Sequence, residues 1–291
     1  MKIMAVVVTF NPDKQAYENI RKLSQQIDFI LVVDNSLKSS RFVLQQEGIE
    51  VVYNSENLGI GKALNLGLDY AIQHDFDWLF TFDQDSQITD NFVRNMISTN
   101  ELYEKKEKIQ PVLICPTYIH PDDAIVYDNA KETDNEFYVE VETAMTSGNA
   151  LNISLLKDKN IRFKEAYFID FVDHEFCFHL RKAGYKIIQS LDAPLIHSLG
   201  EVKEKIIFGK TLTSTNHNAV RRYYITRNRL DVYRNYFSQE KKWIKIDFVN
   251  SIMEFVKIIL IEDQKSLKVL NIFRGTKDAL LNNWGPYRYT K

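Results

Sequence analysis

The sequence predicts an α/β protein with a mostly parallel sheet. Short runs of almost purely apolar, β-prone residues alternate with segments of helical periodicity, as in successive βαβ units. Several of these runs end in polar or acidic residues, as expected where buried strands reach a ligand crevice at the edge of a sheet. A chain of 291 residues suffices for one large α/β domain with an extension.

The first third of the chain alternates regularly. An apolar run at 3–10 is broken by Asn11-Pro12, and apolar residues at helical spacing follow it. Because parallel strands need crossover connections, we expect right-handed helical crossovers between these strands. We predict strands at 3–10, 29–33, 51–53 and 78–82, and helices at 13–27 and 58–71.

Two carboxylates one residue apart follow the fourth strand. Asp83 and Asp85 lie at its carboxyl end, where a turn can bring both side chains toward one centre. Such a centre suits a hard divalent cation that prefers oxygen ligands. Asp75 and Asp77 have the same spacing but precede the strand, so we interpret them as part of a solvated loop.

The glycines of Gly59-Ile60-Gly61-Lys62 match neither of two familiar nucleotide motifs. No Ser or Thr follows Lys62, which excludes a Walker loop, and Leu64 stands where a dinucleotide fingerprint needs its third glycine. A tight strand-to-helix turn explains them best. The alternative is a close approach of backbone amides to an anion at a helix start.

The remainder of the chain is less regular. We expect helices through most of the last ninety residues, one of them strongly apolar between 247 and 262 and suited to the core, a lipid surface or another subunit. Before that we predict a charged loop at 105–108, a strand at 112–115 stopped by Pro116, an antiparallel strand at 137–144, a polar turn at 146–151, a helix closed by Gly184, and a strand at 187–196 before His197.

Composition narrows the class of protein. The net charge of −2 gives no bulk attraction for nucleic acid, but residues 203–245 hold eleven Lys or Arg against three acids. That segment is suited either to anionic lipids or to a solvated helical face. Two distant cysteines fit a reducing cytoplasm, and we find neither a signal-peptide pattern nor an apolar run long enough to span a bilayer.

Eight motifs, in the expected order over roughly residues 1–230, resemble the inverting family 2 glycosyltransferases with the GT-A fold, in particular their bacterial rhamnosyltransferase-like branch. The motifs are VVVTFN (6–11), VDNS (33–36), NLGIGKALNLG (57–67), FTFDQDS (80–86), TSGNAL (146–151), FIDFVDHEFCFHLRKAGY (168–185), LIHSLGE (195–201) and YYITRN (223–228). Residues 275–285 also look like the tail of that branch. The resemblance implies a Rossmann-like mixed sheet in a catalytic domain over 1–200, with a nucleotide-binding half at 1–105 and an acceptor half at 106–200. It leaves 201–291 as a helical region that associates with membrane or oligomerises.

The resemblance also implies a donor site. Asp85 would ligate Mg²⁺ or Mn²⁺ directly, Asp83 would hold the ribose or a metal-bound water, and His197 would be a third ligand or a diphosphate contact. If His197 is instead an ordinary histidine at the end of a strand, the implied metal-assisted sugar transfer does not depend on it. The other implied donor-binding residues are Thr9, Asn11 and Asp34 around the nucleobase, Asn57, Gly59 and Lys62 along the ribose or diphosphate, and Gln84, Arg227 and Arg222.

Inversion by direct displacement needs one base that takes the proton of the acceptor hydroxyl. Asp173 matches the base position of the family's acidic motif, Asp170 is its competitor, and Glu175 would position the acceptor or the helix. The alternative for this cluster is helix capping and dipole compensation. The loop with Ser147, Gly148 and Asn149 would face the donor sugar.

These implications lead to a cytoplasmic enzyme, peripheral on the inner face of the cell membrane, that moves L-rhamnose from dTDP-rhamnose to a surface polysaccharide or lipid-linked oligosaccharide. A homodimer is compatible with this expectation. A UDP-hexose or UDP-N-acetylhexosamine donor is the near alternative. A sugar nucleotidyltransferase would carry a Gly-rich, Arg-containing loop where this chain has Asn11-Pro12-Asp13-Lys14. A non-catalytic nucleotide-sugar-binding subunit would make Asp173 dispensable.

Overall fold

A computed structural model describes residues 1–37, 43–119, 126–127, 136–197, 203–207 and 210–289. In these ranges the strands are β1 Ile3–Thr9, β2 Phe29–Asp34, β3 Ile49–Tyr53, β4 Trp78–Asp83, β5 Gln87–Ile88, β6 Leu113–Ile119, β7 Val126–Tyr127, β8 Tyr138–Glu140, β9 Asn149–Asn152, β10 Ile187–Ile196, β11 Lys203–Ile207 and β12 Lys210–Ser214. The helices are α1 Lys14–Leu23, α2 Ile60–Gln73, α3 Phe92–Glu107, α4 Ile153–Leu156, α5 Val172–Lys182, α6 Ala219–Tyr236, α7 Lys241–Ile261 and α8 Lys265–Leu281.

One mixed sheet organises the molecule. Its main path runs β3-β2-β1-β4-β9-β6-β10-β5, while β7 pairs with β6, β8 with β10, and β11 with β12 in a separate hairpin. Strands β3, β2, β1 and β4 are mutually parallel, and β9 runs antiparallel between β4 and β6. The expected mixed α/β sheet with a helical C-terminal region is therefore confirmed.

Both faces of the central strands are buried, which explains their uninterrupted apolar sequences. Along β1, Met4 and Val6 pack into one hydrophobic cluster, whereas Ala5 and Val7 pack into the other. Alternate side chains of a strand point to opposite faces, so a strand covered on both sides needs apolar residues throughout. Because β2, β1 and β4 are adjacent and parallel, their carboxyl ends lie side by side at one edge of the sheet.

Three expectations for the second half were wrong. The charged residues 105–108 belong to the end of α3 and its cap rather than to a loop, and α3 itself was not foreseen. Pro116 does not end its strand, because β6 continues to Ile119 and the neighbouring β10 shifts register between Gln189 and Pro194 at this point. Before α6, the region expected to be helical also contains the β11–β12 hairpin.

A buried guanidinium joins the C-terminal helices to the sheet domain. Arg227 of α6 is completely buried and donates to the backbone oxygens of Ala166, Tyr167 and Gly285 at 2.7–3.1 Å. Its neighbour Asn228 donates to the carbonyl of Asp170 at 2.8 Å. Since α6 holds the 165–170 segment in this way, it fixes the loop that leads into α5.

We expect Arg227→Leu to lower the free energy of unfolding by about 3 kcal/mol or more, because the hydrogen bonds that the buried guanidinium donates to three carbonyl oxygens would be lost. Denaturant unfolding measures this loss. Arg94→Leu is the matched control, since Arg94 is exposed on α3. Equal effects of the two substitutions would contradict a structural role for Arg227.

None of the helices in the described part of the chain is both long enough and apolar enough to cross a bilayer.

Candidate active site

A cavity of about 540 Å³ opens at the carboxyl ends of β1 and β4. Its volume lies in the range of small-molecule sites. Its polar lining comes from distant parts of the sequence: Thr9, Asp83, Gln84, Asp85, Thr146, Asp170, Asp173, His197, Thr215, His217 and Arg221. Its apolar lining includes Val8, Phe10, Ile60, Met145, Ile169 and Val172.

The sheet brings Asp83, Asp85 and His197 together. Asp83 ends β4, and the short strand β5 that follows pairs with the end of β10, where Ile196 lies opposite Gln87. This pairing places the acidic turn beside His197. One potential ligand atom from each of the three residues lies within 4.8 Å of the others, and Asp85 Oδ1 is 3.7 Å from His197 Nδ1.

Two serines hold this cluster in place. The backbone N–H of Asp83 donates to Ser147 Oγ at 3.1 Å, and Ser147 Oγ lies 2.5 Å from Ser86 Oγ. Ser86 Oγ is in turn 3.1 Å from His197 Nδ1. Ser147 thus lies beneath the acidic turn and does not line the cavity, although its neighbours Met145 and Thr146 do.

The turn at Gly148 supports the same strand end. Gly148 has a positive φ of 82° and donates its N–H to the carbonyl of Thr81 at 2.6 Å. Asn149 begins β9 and pairs with Thr81. The segment 147–149 therefore packs against β4 and buttresses the acidic turn.

The environment of Asp83 disfavours a charged carboxylate. Burial raises its pKa to about 6, and the charges of Asp85 and Asp173 act in the same direction, while His197 and Arg221 oppose the shift. Three carboxylates close enough to influence one another form a site suited to a cation, which would relieve their repulsion.

An ion pair joins the loop before α5 to the first turn of α6. Arg221 binds Asp170 through two contacts, with Nη2 2.5 Å from Oδ1 and Nε 3.3 Å from Oδ2. Burial raises the pKa of Asp170, and Arg221 opposes that shift. Asp170, Phe168 and Phe171 all have positive φ angles, so this loop is held in an unusual conformation by its partners.

Asp173 and Glu175 point to different surroundings from the first turn of α5. Asp173 lines the cavity, and its Oδ1 accepts the N–H of His174 at 2.8 Å. Glu175 is buried outside the cavity lining and accepts from Tyr236 of α6 at 2.8 Å. Burial raises the pKa of Glu175. Its hydrogen bond to Tyr236 makes it a packing partner of α6.

The ends of β1 and β2 form a second polar cluster beside the cavity. Thr9 Oγ1 and Ser36 Oγ both donate to Oδ1 of the buried Asp34, at 2.9 and 2.6 Å. The backbone N–H of Asn11 donates to Ser36 Oγ at 2.6 Å. Gln84 accepts from the N–H of Phe10 at 2.8 Å and so ties the acidic turn to β1.

The turn between β3 and α2 packs against the backbone of Phe168. Gly59 has a φ of 81°, and a Cβ there would lie 2.5 Å from the carbonyl oxygen of Phe168. The first helical amide, Ile60 N–H, already donates to that oxygen at 2.7 Å. Asn57 accepts from Gly59 N–H, and Lys62 is exposed. Of this turn, only Ile60 lines the cavity.

Three arginines of α6 occupy different environments. Arg222 is buried and bound to Glu254 and Glu262, and Arg227 is buried in the network described above. Arg221 instead lines the cavity with His217, whose pKa is lowered to about 4 by burial and by the nearby arginines. Sequence reasoning missed Arg221, His217 and Thr215. Helical spacing cannot tell which of the adjacent arginines faces a cavity without knowing where α6 docks.

Comparison with known proteins finds similar sequences. The sequence model of glycosyl transferase family 2 matches residues 4–135, which contain β1 to β4 and the acidic turn. The dTDP-rhamnosyl transferase RfbF of Shigella flexneri is 29% identical over 244 residues, 78% of either chain.

Solved structures share the fold. A crystal structure of GalNAc-T7 with UDP, GalNAc and Mn²⁺ superposes with a TM-score of 0.59 at 11% identity, over 84% of this chain. This chain spans only 49% of the GalNAc-T7 chain. The family model over residues 4–135 and the Shigella relative support a glycosyltransferase of family 2, and GalNAc-T7 shares the fold.

Proposed function

We propose that the protein is an inverting glycosyltransferase that moves a sugar from a nucleotide diphosphate to the hydroxyl of a glycan or lipid-linked glycan. The single observation that supports this most strongly is the convergence of Asp83, Asp85 and His197 with Asp173 and Arg221 in one cavity. A donor diphosphate needs positive charge near its leaving oxygen, and the acceptor hydroxyl needs a base. The cavity contains candidates for both.

The donor would enter at the ends of β1 and β2. In this proposal Asp34, Thr9 and Asn11 surround the nucleobase, and Asn57, Gly59 and Lys62 lie along the rim near the ribose. Asp34 is already fixed by Thr9 and Ser36. A preorganised carboxylate can accept from a base imide without first being reoriented.

The ligand atoms of Asp83, Asp85 and His197 suit a divalent cation. Asp83 and Asp85 supply oxygens and His197 a nitrogen, all close enough to share one ion, and carboxylates suit Mg²⁺ or Mn²⁺. When bound, such a cation would neutralise negative charge on the diphosphate. The serine pair that positions His197 and Asp83 would keep this geometry between turnovers.

Asp173 is the base in this proposal, and the geometry separates it from its two neighbours. Asp170 is bound to Arg221, and Glu175 is bound to Tyr236 and directed away from the cavity. Asp173 alone of these three both lines the cavity and contacts no side-chain partner among the hydrogen bonds and ion pairs of the described residues. It would take the proton of the acceptor hydroxyl as the bond to the sugar forms.

The donor we propose is dTDP-L-rhamnose, on the basis of the Shigella relative. The 29% sequence identity between this chain and that dTDP-rhamnosyl transferase supports dTDP-rhamnose over a UDP-hexose or UDP-N-acetylhexosamine donor. A panel of nucleotide sugars with Mg²⁺ or Mn²⁺, scored by nucleoside diphosphate release, tests it. We expect the strongest response to dTDP-rhamnose. A response to UDP sugars alone would overturn the donor, and no response to any nucleotide sugar would overturn the function.

A cytoplasmic location is part of the proposal. The two cysteines, Cys115 and Cys177, are both free and buried, which suits a reducing compartment.

Cation affinity should weaken in acid. Because the pKa of Asp83 is raised to about 6, its carboxyl is largely protonated below that pH and must lose a proton to bind a cation. We expect Mn²⁺ affinity to be nearly constant from pH 7 to 8 and to fall by up to about tenfold per pH unit below pH 6. Calorimetric titration across this range measures it. Affinity that does not change between pH 5 and 8 would exclude Asp83 from the site.

Arg221 is the cavity's candidate for direct contact with the donor phosphates. It lies in the first turn of α6, where the helix dipole also favours an anion. We expect Arg221→Gln to weaken binding of the nucleoside diphosphate by about tenfold or more, since charge-assisted hydrogen bonds contribute about 1.5–3 kcal/mol. Arg234→Gln is the control, because Arg234 lies on the same helix outside the cavity. Unchanged affinity in the Arg221 variant would remove it from the donor site.

A further inference from the structure

Helix α7 presents its apolar residues to the outside. Phe248, Ile252, Met253, Phe255 and Ile259 are each at least 40% exposed, which is unusual for residues of this size. At helical spacing they lie on one side of α7, together with Ile246, Val249, Val256 and Leu260. We call these nine residues the α7 apolar face.

The acidic residues of α7 point the other way, into the protein. Asp247 accepts from Arg229 at 3.0 Å and from Tyr233 at 2.6 Å, and Glu254 binds Arg222 and Arg229. All these partners belong to α6, which fixes the rotation of α7 about its axis. The exposure of the apolar face therefore follows from ion pairs that anchor the opposite side of the helix.

Helix α8 likewise buries polar residues and exposes apolar ones. Its polar residues Lys268, Asn271 and Asp278 are buried, whereas Leu267, Leu270, Phe273, Leu280 and Leu281 are 45–74% exposed. An ordinary surface helix shows the reverse distribution. Two consecutive helices with exposed apolar sides require a covering partner, because exposed apolar surface of this extent marks an interaction site.

The charges around these residues indicate what covers them. The exposed ionisable side chains of α7 and α8 are all lysines: Lys241, Lys242, Lys245, Lys265 and Lys277. The acids within the two helices, Asp247, Glu254 and Asp278, are not exposed. Asp263, in the turn between the helices, is exposed but paired with Lys203 at 2.6 Å.

We propose that α7 and α8 form a docking surface for a membrane that contains anionic lipids. The apolar side chains would enter the boundary between headgroups and acyl chains, and the lysines would contact the anionic headgroups. A second copy of the chain fits less well. In a two-fold symmetric contact through this surface the same lysines would face one another without any exposed acid of either helix to balance them.

Flotation of the full chain with vesicles tests this proposal. We expect binding to vesicles of phosphatidylcholine and phosphatidylglycerol in a 7:3 ratio, with at least about tenfold weaker binding to phosphatidylcholine alone and to the mixed vesicles in high salt. This comparison uses the unaltered protein, so it does not depend on whether a variant folds.

Two sets of variants locate the surface. Reversal of Lys241, Lys242 and Lys245 to Glu should lower the partition coefficient by about 100-fold, whereas the same reversal of the exposed Lys22, Lys105 and Lys157 should leave most of the binding. Ile252→Ser with Phe255→Ser should lower it by at least about tenfold, and Leu102→Ser with Ile109→Ser, which are exposed elsewhere, should not.

Three results would overturn the proposal. The first is no binding to the anionic vesicles, and the second is binding that the α7 variants do not reduce more than their controls. The third is a stable dimer in sedimentation velocity that Ile252→Ser with Phe255→Ser converts to monomer, which would assign the surface to a second copy of the chain. Circular dichroism melts of each variant confirm that it is folded.

Discussion

Replacing Asp173 with Asn is expected to lower turnover by about 10²–10⁴-fold, the usual contribution of a general base. Affinity for the nucleotide sugar should change by no more than about twofold, because the substitution keeps the size of the side chain. Asp173 lines the cavity while its neighbours Asp170 and Glu175 are bound to Arg221 and Tyr236. Initial rates and calorimetric donor binding, measured on the same preparation, separate these two effects.

Asp158→Asn is the matched control for that experiment, since Asp158 is exposed and does not line the cavity. A folded Asp173 variant with normal turnover would remove the base from the mechanism and favour a helix-capping role. Loss of turnover together with loss of donor binding would show that Asp173 positions the donor instead. A chain with no turnover in any form, but with normal donor binding, would be a nucleotide-sugar-binding subunit.

Asp85→Asn should lower kcat/KM by about 100-fold or more, because a cation site that neutralises the leaving diphosphate contributes several kcal/mol to the transition state. It should also weaken Mn²⁺ binding, which can be measured without any turnover. Asp85 is more exposed than Asp83, so the substitution leaves the packing beneath the turn intact.

Asp75→Asn is the control for the Asp85 variant, because Asp75 belongs to the other Asp-x-Asp pair of the chain and does not line the cavity. Normal Mn²⁺ affinity in the Asp85 variant would contradict its role as a ligand. Normal turnover despite lost Mn²⁺ binding would show that the reaction does not need the cation.

Much of the sheet could be predicted because β1, β2 and β4 are buried on both faces. Strands of that kind must be apolar along their whole length, so they are visible in the sequence. The same logic placed Asp34 and Asp83 at strand ends along one edge of the sheet, on either side of β1. Helix α3 was missed because polar residues interrupt its apolar positions, and the tertiary packing of Phe92, Met96 and Tyr103 decides its conformation.

The candidate site was predictable to the extent that strand ends define it. His197 was linked to the acidic turn by the family resemblance, and the pairing of β5 with β10 gives the physical reason. Arg221 could not be distinguished from Arg222 or Arg227, because the choice depends on which side of α6 faces the sheet domain. The outward apolar side of α7 depends in the same way on the ion pairs of α6.

The proposed mechanism depends most on a cation bound by Asp83, Asp85 and His197. Crystals grown with Mn²⁺ and dTDP, measured at the manganese absorption edge, test it directly. We expect an anomalous peak at coordination distance from Asp85, with the two phosphates of dTDP on its other side and the base beside Asp34. An anomalous peak elsewhere, or a nucleotide bound away from these three residues, would contradict the account.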